Sequence, residues 1–500
     1  MNKKNMVNAL SVSAMAVSFA GCNSVEGENE KTALNQRPNV LFIAIDDFTP
    51  KHWGVSGGNI IGTPNIDALA KDAVCFTRAY CAGPACGPSR MSLMSGLNPS
   101  TTGYFGNFTP KKIKSEWIKD ASKTTMHSFF KANGYTTATA GKVQRVPEEH
   151  LDQHLDKTML YPDRDEKIAG YNTTKKKLYA LGDVVFKGKK LPIEMRYGTS
   201  GLKEEDEWDF INASRGIEFI NQAHKNPFFL TVGFNATHLP FSAPKKYHDM
   251  FNPEKMKIPY HPENDLDDMV RDYKKMGPYP FRNIPENIEK EMMSSLFACM
   301  KFNDDQIGRI IKTLKDKGIY DNTIIVLWTD HGNMVGEHSI WTKGPLLEDS
   351  ASSGLIIKAT NIARAGGTCK RPVESVDIFA TLADIAGLPA PKGRDSVSMR
   401  KLLENPDAKW KDGAVITSCD VHEDNSVSGS ARMFRTEDYS LVKQYITTPN
   451  AKAGDLELYD LKKDPDCFTN VAHFTEYKNI LNDLVEKLDA RYKPYKKANR

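Results

Sequence analysis

Five short runs, Val40 to Ile45, Thr136 to Ala140, Phe228 to Phe234, Ile324 to Trp328 and Leu355 to Lys358, consist largely of apolar and β-branched residues. A strand with one wet face alternates polar and apolar residues, whereas a strand covered on both faces does not. Helical patterns separate these runs at Asn65 to Ala73, Thr125 to Ala132, Trp208 to Ala223 and Ile288 to Lys317, the last open to an interruption. Strands of this kind alternating with helices predict an α/β fold, a mostly parallel sheet with helices on both faces. Ligands of such sheets collect beyond the carboxyl ends of the strands. Two of the runs end in acidic clusters there, Asp46-Asp47 and Asp330-His331-Gly332.

After about Pro391 the pattern changes. Short strand candidates at Gly413 to Thr417, Ala431 to Phe434, Ser440 to Gln444 and Leu456 to Tyr459 follow one another without helices, and Phe474 to Ala490 closes as a helix. That order predicts a smaller antiparallel sheet plus one helix. Residues 150 to 205 are charged and rich in glycine and tyrosine, with weak periodicity, as in a long functional insertion. No internal repeat is visible. The expected division is a leader (1–21), a tether (22–36), a catalytic domain (37–410) and a C-terminal subdomain (411–500).

Composition sets limits. Of 500 residues, 40 % are apolar and 26 % charged, and 67 basic against 63 acidic side chains leave a net charge of +4. Disorder does not fit this balance, and no whole-chain basic field points to nucleic acid. The mean hydropathy of −0.49 excludes a polytopic membrane protein. The N-terminus carries Lys3 and Lys4, then an apolar stretch from Val7 to Ala20 that reads as an export signal. It ends Phe19-Ala20-Gly21-Cys22, which resembles the cleavage and acylation site of bacterial lipoproteins; ordinary cleavage to a soluble secreted product is the alternative. The glutamate-rich stretch Asn23 to Gln36 reads as a flexible tether. The basic tail Arg491 to Arg500 reads as solvated.

The most informative segment is Cys81-Ala-Gly-Pro-Ala-Cys86-Gly87-Pro88-Ser89-Arg90, followed by Leu93-Met94-Ser95-Gly96. Its core is a C-x-P-x-R pattern. One acidic pair after a strand is more often a turn or a helix cap, but two of them flanking this motif point to a divalent cation, since hard cations want several oxygen ligands. Further stretches keep the same company: Thr63-Pro-Asn-Ile-Asp67, Gly141-Lys142, Pro227-Phe-Phe-Leu through His238, Trp328-Thr-Asp330-His331-Gly, Gly336-Glu-His338, Trp341-Thr-Lys343 and Leu458-Tyr-Asp-Leu-Lys-Lys-Asp464-Pro. Together they resemble the type I, formylglycine-dependent sulfatases from Arg37 to about Val471. The Asp330-His331 pair and Trp341-Thr-Lys343 are most similar to the iduronate-2-sulfatase branch.

The resemblance implies an alkaline-phosphatase-like fold and hydrolysis of sulfate esters. Cys86, oxidised to formylglycine by a formylglycine-generating or anaerobic sulfatase-maturating enzyme, is then the nucleophile. Asp46, Asp47, Asp330, His331 and an oxygen of modified Cys86 are the expected ligands of Ca²⁺, with Mg²⁺ as the alternative. His331 is unusual there, because imidazole suits transition metals better. Arg90 is expected to support the formylglycine hydrate, Lys142 and Lys343 to contact sulfate oxygens, and His238 to contact sulfate or protonate the leaving oxygen.

One departure concerns the histidine usually found after the Gly-Lys pair. Here Lys142 is followed by Val143-Gln144-Arg145, leaving Arg145, His150 or His154 as substitutes.

Export with a lipid tether points to a periplasmic or cell-surface enzyme acting on a sulfated glycan, either a glycosaminoglycan or an algal polymer such as carrageenan or ulvan. The 150–205 insertion and the loop Ser100 to Asn107 are the expected specificity elements. The alternatives are a phosphonate monoesterase or phosphodiesterase of the same superfamily, and a non-catalytic glycan-binding lipoprotein with unmodified Cys86. Cys75, Cys81, Cys299, Cys369, Cys419 and Cys467 remain, an even six in an exported chain, which leads us to expect one or more disulfides.

Overall fold

The computed structural model describes residues 37–106, 125–143, 156–159, 185–186, 189–190, 197–271, 281–282, 284–360, 362, 365–421, 427–448 and 451–491. The leader, Cys22 and its tether, Asn107, Arg145, His150, His154, most of the 150–205 insertion and the tail after Arg491 lie outside them.

The main sheet is built, in chain order, from β1 (Asn39–Ile45), β2 (Val74–Tyr80), β3 (Thr136–Gly141), β4 (Lys157–Met159), β5 (Phe228–Phe234), β6 (Thr323–Thr329), β7 (Ser352–Lys358), β8 (Gly367–Cys369) and β9 (Val373–Glu374). Across the sheet they run β8-β2-β7-β6-β1-β5-β3-β4, with β9 also beside β2. The pairings of β1 with β6 and β5, of β3 with β5 and β4, and of β2 with β8 and β9 are parallel.

Only β7, which contains the expected run Leu355 to Lys358, is antiparallel to its neighbours β6 and β2. A parallel return needs a crossover that carries the chain back to the other edge. Between β6 and β7 there is only a short hairpin and one four-residue turn of helix, Glu348–Ala351, so β7 starts near where β6 ends and runs back.

Alternate residues of β1 feed two cores, as a period of two requires. Leu41, Ile43 and Ile45 join the cluster under α4 (Trp208–Asn221) and α5 (Glu286–Asp316). Val40, Phe42 and Ala44 join the one under α2 (Cys86–Ser95), α3 (Met126–Ala132) and α6 (Ile378–Ile385), while α1 (Pro64–Lys71) lies on the first face. Helix α5 is continuous over 31 residues and buries Met292, Leu296, Met300, Ile307, Ile310 and Leu314 along one side.

The C-terminal strands β10 (Ala414–Val421), β11 (Val427–Arg435), β12 (Tyr439–Ile446) and β13 (Leu456–Asp460) form an antiparallel meander. Helix α7 (Lys478–Ala490) packs Leu484 and Leu488 against Phe434, Leu441 and Leu458. A shared cluster of Tyr80, Cys81 and Ala351 with Ile416, Ala431 and Met433 joins the meander to the main sheet.

The expected disulfides are not formed: Cys75, Cys81, Cys299, Cys369 and Cys467 are buried free thiols, and Cys419 Sγ lies 3.4 Å from Ser430 Oγ. The sheet separates Cys75 from Cys369 on the neighbouring strand. Cys75 packs into one core and Cys369 into the other, while Cys81 belongs to the cluster beneath the meander. In those apolar settings they behave as small hydrophobes.

Candidate active site

Strand register assembles the site. Ala44 lies level with Trp328 of β6 and Gly233 of β5, and Gly141 of β3 is level with Gly233. The residues that follow, Asp46-Asp47, Asp330-His331, Asn235 to His238 and Lys142, therefore emerge at one edge. The turn at Lys142 needs glycine twice. Gly141 has φ of +75°, and a Cβ there would strike the Gly233 carbonyl and Asn212, while a Cβ on Gly233 would strike the Lys142 backbone.

Successive side chains of an extended segment point to opposite sides. Asp47 escapes that alternation with a left-handed φ of +50°, which a short acidic side chain tolerates better than most. Both carboxylates then reach one centre: Cys86 Sγ lies 3.4 Å from Asp46 Oδ1 and 3.9 Å from Asp47 Oδ1.

Cys86 is the first residue of α2, every residue of which is buried. Pro88 is tolerated in that first turn, where backbone N–H groups have no helical partner anyway. Arg90, one turn on, shares the face of Cys86. Its Nε donates to Asp330 Oδ2 (2.9 Å), Nη2 to Asp46 Oδ1 (3.1 Å), and Nη1 to the carbonyls of Lys142 and Val143 (2.7 and 3.1 Å). The guanidinium has no exposed surface and lies 5.8 Å from the Trp328 ring centroid. It ties the ends of β1, β3 and β6 together.

The remaining cations are the two expected lysines. Lys142 Nζ donates to Asp46 Oδ2. Lys343 Nζ donates to both oxygens of Asp47 (2.8 and 2.6 Å) and lies 3.6 Å from Cys86 Sγ. His331 Nδ1 is 2.8 Å from the Gly332 carbonyl, which turns Nε2 toward Cys86 Sγ (3.3 Å) and Asp47 Oδ1 (3.2 Å). One ligand atom from each of Asp46, Asp47, Cys86, Asp330 and His331 can be chosen so that all lie within 4.8 Å of one another.

The electrostatics of this cluster are extreme. Burial pushes the Cys86 thiol up and Asp46 adds to it, but Lys343, Lys142 and His331 outweigh both and hold it well below the usual thiol range. A helix N-terminus acts in the same direction. Burial likewise opposes ionisation of Asp46, yet Lys142, His238 and Arg90 keep it well below the carboxylate range. Burial raises Asp330 well above its ordinary value despite Arg90, with Asp46 reinforcing the effect. Against its own desolvation, His331 is pushed up to about 10 by Asp330, Asp47 and Cys86. The carboxylates of Asp47 and Asp330 flank that imidazole, 3.2 and 3.7 Å from Nε2. Three hard carboxylates and one imidazole converging there suit a divalent cation.

His238 follows β5 and is half-buried. Its Nδ1 lies 2.6 Å from the Leu239 carbonyl, which leaves Nε2 free for other work. The turn bearing it is held by a residue the sequence reading passed over. Asp209, fully buried in the first turn of α4, accepts from the Asn235 and Ala236 amides at 2.9 and 2.7 Å. Thr237 in the same turn donates to the Asp46 carbonyl, and Ser89 to that of Asp330.

The hairpin that delivers Lys343 is also anchored by two acids, Asp265 and Glu289, that the residue pattern did not mark. His338 Nδ1 pairs with Asp265 Oδ2 at 2.9 Å, and Trp341 Nε1 donates to Glu289 Oε1 at 2.7 Å. An acid in a first helical turn usually answers the helix dipole, so nothing in the spacing marked Asp209. Asp265 sits in a loop with no periodicity to mark it.

The chain is similar to known proteins over most of its length. The family model described as Sulfatase matches residues 38–388, and that described as N-sulphoglucosamine sulphohydrolase, C-terminal, matches residues 336–493. An iduronate 2-sulfatase of Mus musculus is 27% identical over 76% of this chain and 74% of its own length. An ulvan-active sulfatase of Formosa agariphila is 27% identical over 97% of this chain and 87% of its own. The phosphonate monoester hydrolase of Agrobacterium radiobacter superposes with a TM-score of 0.73 at 22% identity, covering 91% of this chain and 95% of that one. The fold is of the alkaline-phosphatase-like class, a large, mostly parallel sheet with a small antiparallel C-terminal one.

Proposed function

Because the chain belongs to the sulfatase family, and so to the sulfuric ester hydrolases, we propose that it removes sulfate from a sulfated glycan with Cys86, matured to formylglycine, as nucleophile. The observation that carries this reading is the position of Cys86 Sγ, buried at a helix N-terminus among Asp46, Asp47, His331 and Lys343. Sγ occupies the place of the formylglycine oxygens.

As a hydrated aldehyde, the residue carries one hydroxyl to attack sulfur and a second to expel the sulfate. Ca²⁺, or Mg²⁺ as the alternative, fits the centre formed by Asp46, Asp47, Asp330, His331 and an oxygen of modified Cys86, and supplies a fixed double charge for sulfate. The chain's own residues do the rest. Lys142 and Lys343 exchange their carboxylate partners for sulfate oxygens, stabilising charge that spreads in the transition state. Arg90 keeps Asp46 and Asp330 in register with Cys86. His238, fixed through Nδ1, presents Nε2 to protonate the leaving sugar oxygen.

The named relatives, one iduronate-directed and one ulvan-active, support a glycan substrate. Cys22 as a lipid attachment point would hold the enzyme at the periplasmic or outer cell surface. No helix among the described residues is long and apolar enough to cross a membrane.

The test uses protein matured in cells that install formylglycine. Sulfate release is measured from sulfated oligosaccharides of known linkage, beside phosphate and phosphonate esters of matched alcohols, and mass spectrometry reads the Cys86 peptide. Sulfate release by protein carrying formylglycine is the expected result. An intact thiol in active protein would defeat the mechanism. A marked preference for phosphorus would favour phosphonate hydrolysis, a reading kept because of the likeness to the Agrobacterium enzyme.

A further inference from the structure

A concavity is walled in part by the turn after Asp46-Asp47 and by the hairpin that carries Lys343. Its volume is about 540 Å³, within the range of small-molecule sites. Several segments form it, among them the loop bearing Lys257 and Tyr260 and the helix residues Met293 and Phe297. Lys51 and His52 come from the turn directly after Asp46-Asp47; Glu337 and His338 come from the Lys343 hairpin; and Cys467 and Phe468 reach in from the C-terminal subdomain. Asp349, also in its wall, packs its backbone against Gly332, next to His331.

The ionic groups of the wall are largely spent on one another. Lys51 pairs with both Glu337 and Asp349 (2.8 Å to the latter), Glu348 takes Arg435 at 2.8 Å, and His338 takes Asp265. What faces outward is aromatic and apolar. Tyr260 is 77% exposed and Ile60 58% exposed, the two most exposed large hydrophobic residues described. Tyr260 meets Phe468 edge-on at 6.0 Å between ring centroids, and Phe468 packs on the His338 ring at 5.4 Å. Polar capacity remains beside them in the exposed side chain of Lys257, while His52 Nε2 is buried in the wall with no hydrogen-bond partner among the described residues.

An aromatic rim over a cavity whose charges are already neutralised does not suit a free anion. It suits a ligand with an apolar face and many hydroxyls. We propose that this groove is a sugar-binding subsite, in which Tyr260, backed by Phe468, carries the face of a pyranose ring of the glycan beyond the one that loses sulfate. The inference rests on the sulfatase reading and adds to it a requirement for more than one sugar unit. Lys257, at the rim, faces the acidic group of such a polymer.

The experiment compares matured wild type with Tyr260→Ala and Tyr260→Phe, on monosaccharide sulfates and on oligosaccharides from chondroitin sulfate, heparan sulfate, ulvan and carrageenan. For the oligosaccharide that the wild type cleaves, Tyr260→Ala raises KM roughly five- to tenfold, the scale of one aromatic contact. The same variant leaves turnover of the monosaccharide sulfate unchanged, and Tyr260→Phe restores the oligosaccharide KM. Equal KM changes on both substrates, or none on either, overturn the subsite.

Binding of the chemically desulfated oligosaccharides, followed by saturation-transfer NMR, separates the two readings. Signals that survive Cys86→Ala but fade in Tyr260→Ala uphold the groove even if no sulfate is released. Signals untouched by Tyr260→Ala remove the groove while leaving the sulfatase reading standing.

Discussion

Cys86 is set in a field of Arg90, Lys142, Lys343, the His331 imidazole and three carboxylates, and each side chain around it does a different job. Its own truncation tests chemistry apart from folding. Cys86→Ala is expected to abolish sulfate release while the melting temperature moves by only a few degrees, because the lost thiol leaves about one methyl group of space. Global unfolding seen by circular dichroism would count against that assignment.

Arg90 behaves in the opposite way. Truncating a fully buried guanidinium strands Asp46 and Asp330, so Arg90→Ala should cost about 3–5 kcal/mol in urea denaturation.

Asp209 carries a pH signature. Its carboxyl is pushed up from 3.8 to about 7 by burial, against the pull of the Ala236 and Asn235 amides. The folded state therefore holds the proton more tightly than the unfolded chain. Its stabilising contribution is complete below pH 3.8 and is lost as pH rises toward 7. Asp209→Asn should flatten the fall in stability over that window and slow turnover as the His238 turn loosens. A thermal-melt series with an unchanged slope would sink the idea.

At the scale of elements, the most informative piece is the hairpin Met334–Val335 and Ile340–Thr342 that ends at Lys343. His338, Ser339 and Thr342 all adopt positive φ, at 55°, 56° and 83°. Such conformations cost roughly 1–3 kcal/mol each and persist only where the surroundings over-determine them. Here the His338–Asp265 and Trp341–Glu289 bonds do so. Replacing Asp265 with Asn keeps the shape but weakens the first bond. It should lower kcat about tenfold by letting Lys343 wander, since misplacement of a charge-stabilising group costs that much or more. A kcat equal to wild type would show that the strap is held without it.

Helix α2 and strand β2 teach a related lesson. Neither stood out in the residue pattern, because Gly87, Pro88 and Ser89 are poor helix formers and Thr77 and Arg78 interrupt an apolar run. Complete burial of α2 and pairing of β2 with three partners override those local preferences. The short edge strands β4, β8 and β9 were likewise not marked, whereas β1, β3, β5, β6, β7 and the long helix were legible because their period is set by a continuous core.

For the molecule as a whole, the site joins elements far apart in the chain, and a bound cation should be felt by the entire fold. At a Ca²⁺ concentration of 100 times its Kd, binding to the native state alone adds about 2.7 kcal/mol. Differential scanning calorimetry should therefore show Ca²⁺ raising the melting temperature of wild type and a chelator lowering it. In Asp47→Asn the shift should shrink or vanish. A wild-type melting temperature indifferent to both additions would argue against a cation at this centre.

The two acidic clusters, the C-x-P-x-R segment and the apolar runs were readable without coordinates, because backbone period and ligand chemistry are local properties of the residues. Lys142, His238 and Lys343 were named only through the family resemblance, since alone each reads as an ordinary surface residue. Register was not readable. That Ala44 lies level with Trp328 and Gly233 decides that the residues after three strands meet at all, and a slip by one residue would turn every side chain away. Nor did the chain show that β7 reverses, that Cys75 and Cys369 of neighbouring strands pack into opposite cores, or that Asp209 and Asp265 support the catalytic loops. Those outcomes depend on contacts between residues dozens to hundreds of positions apart, which only the packed structure brings within reach of one another.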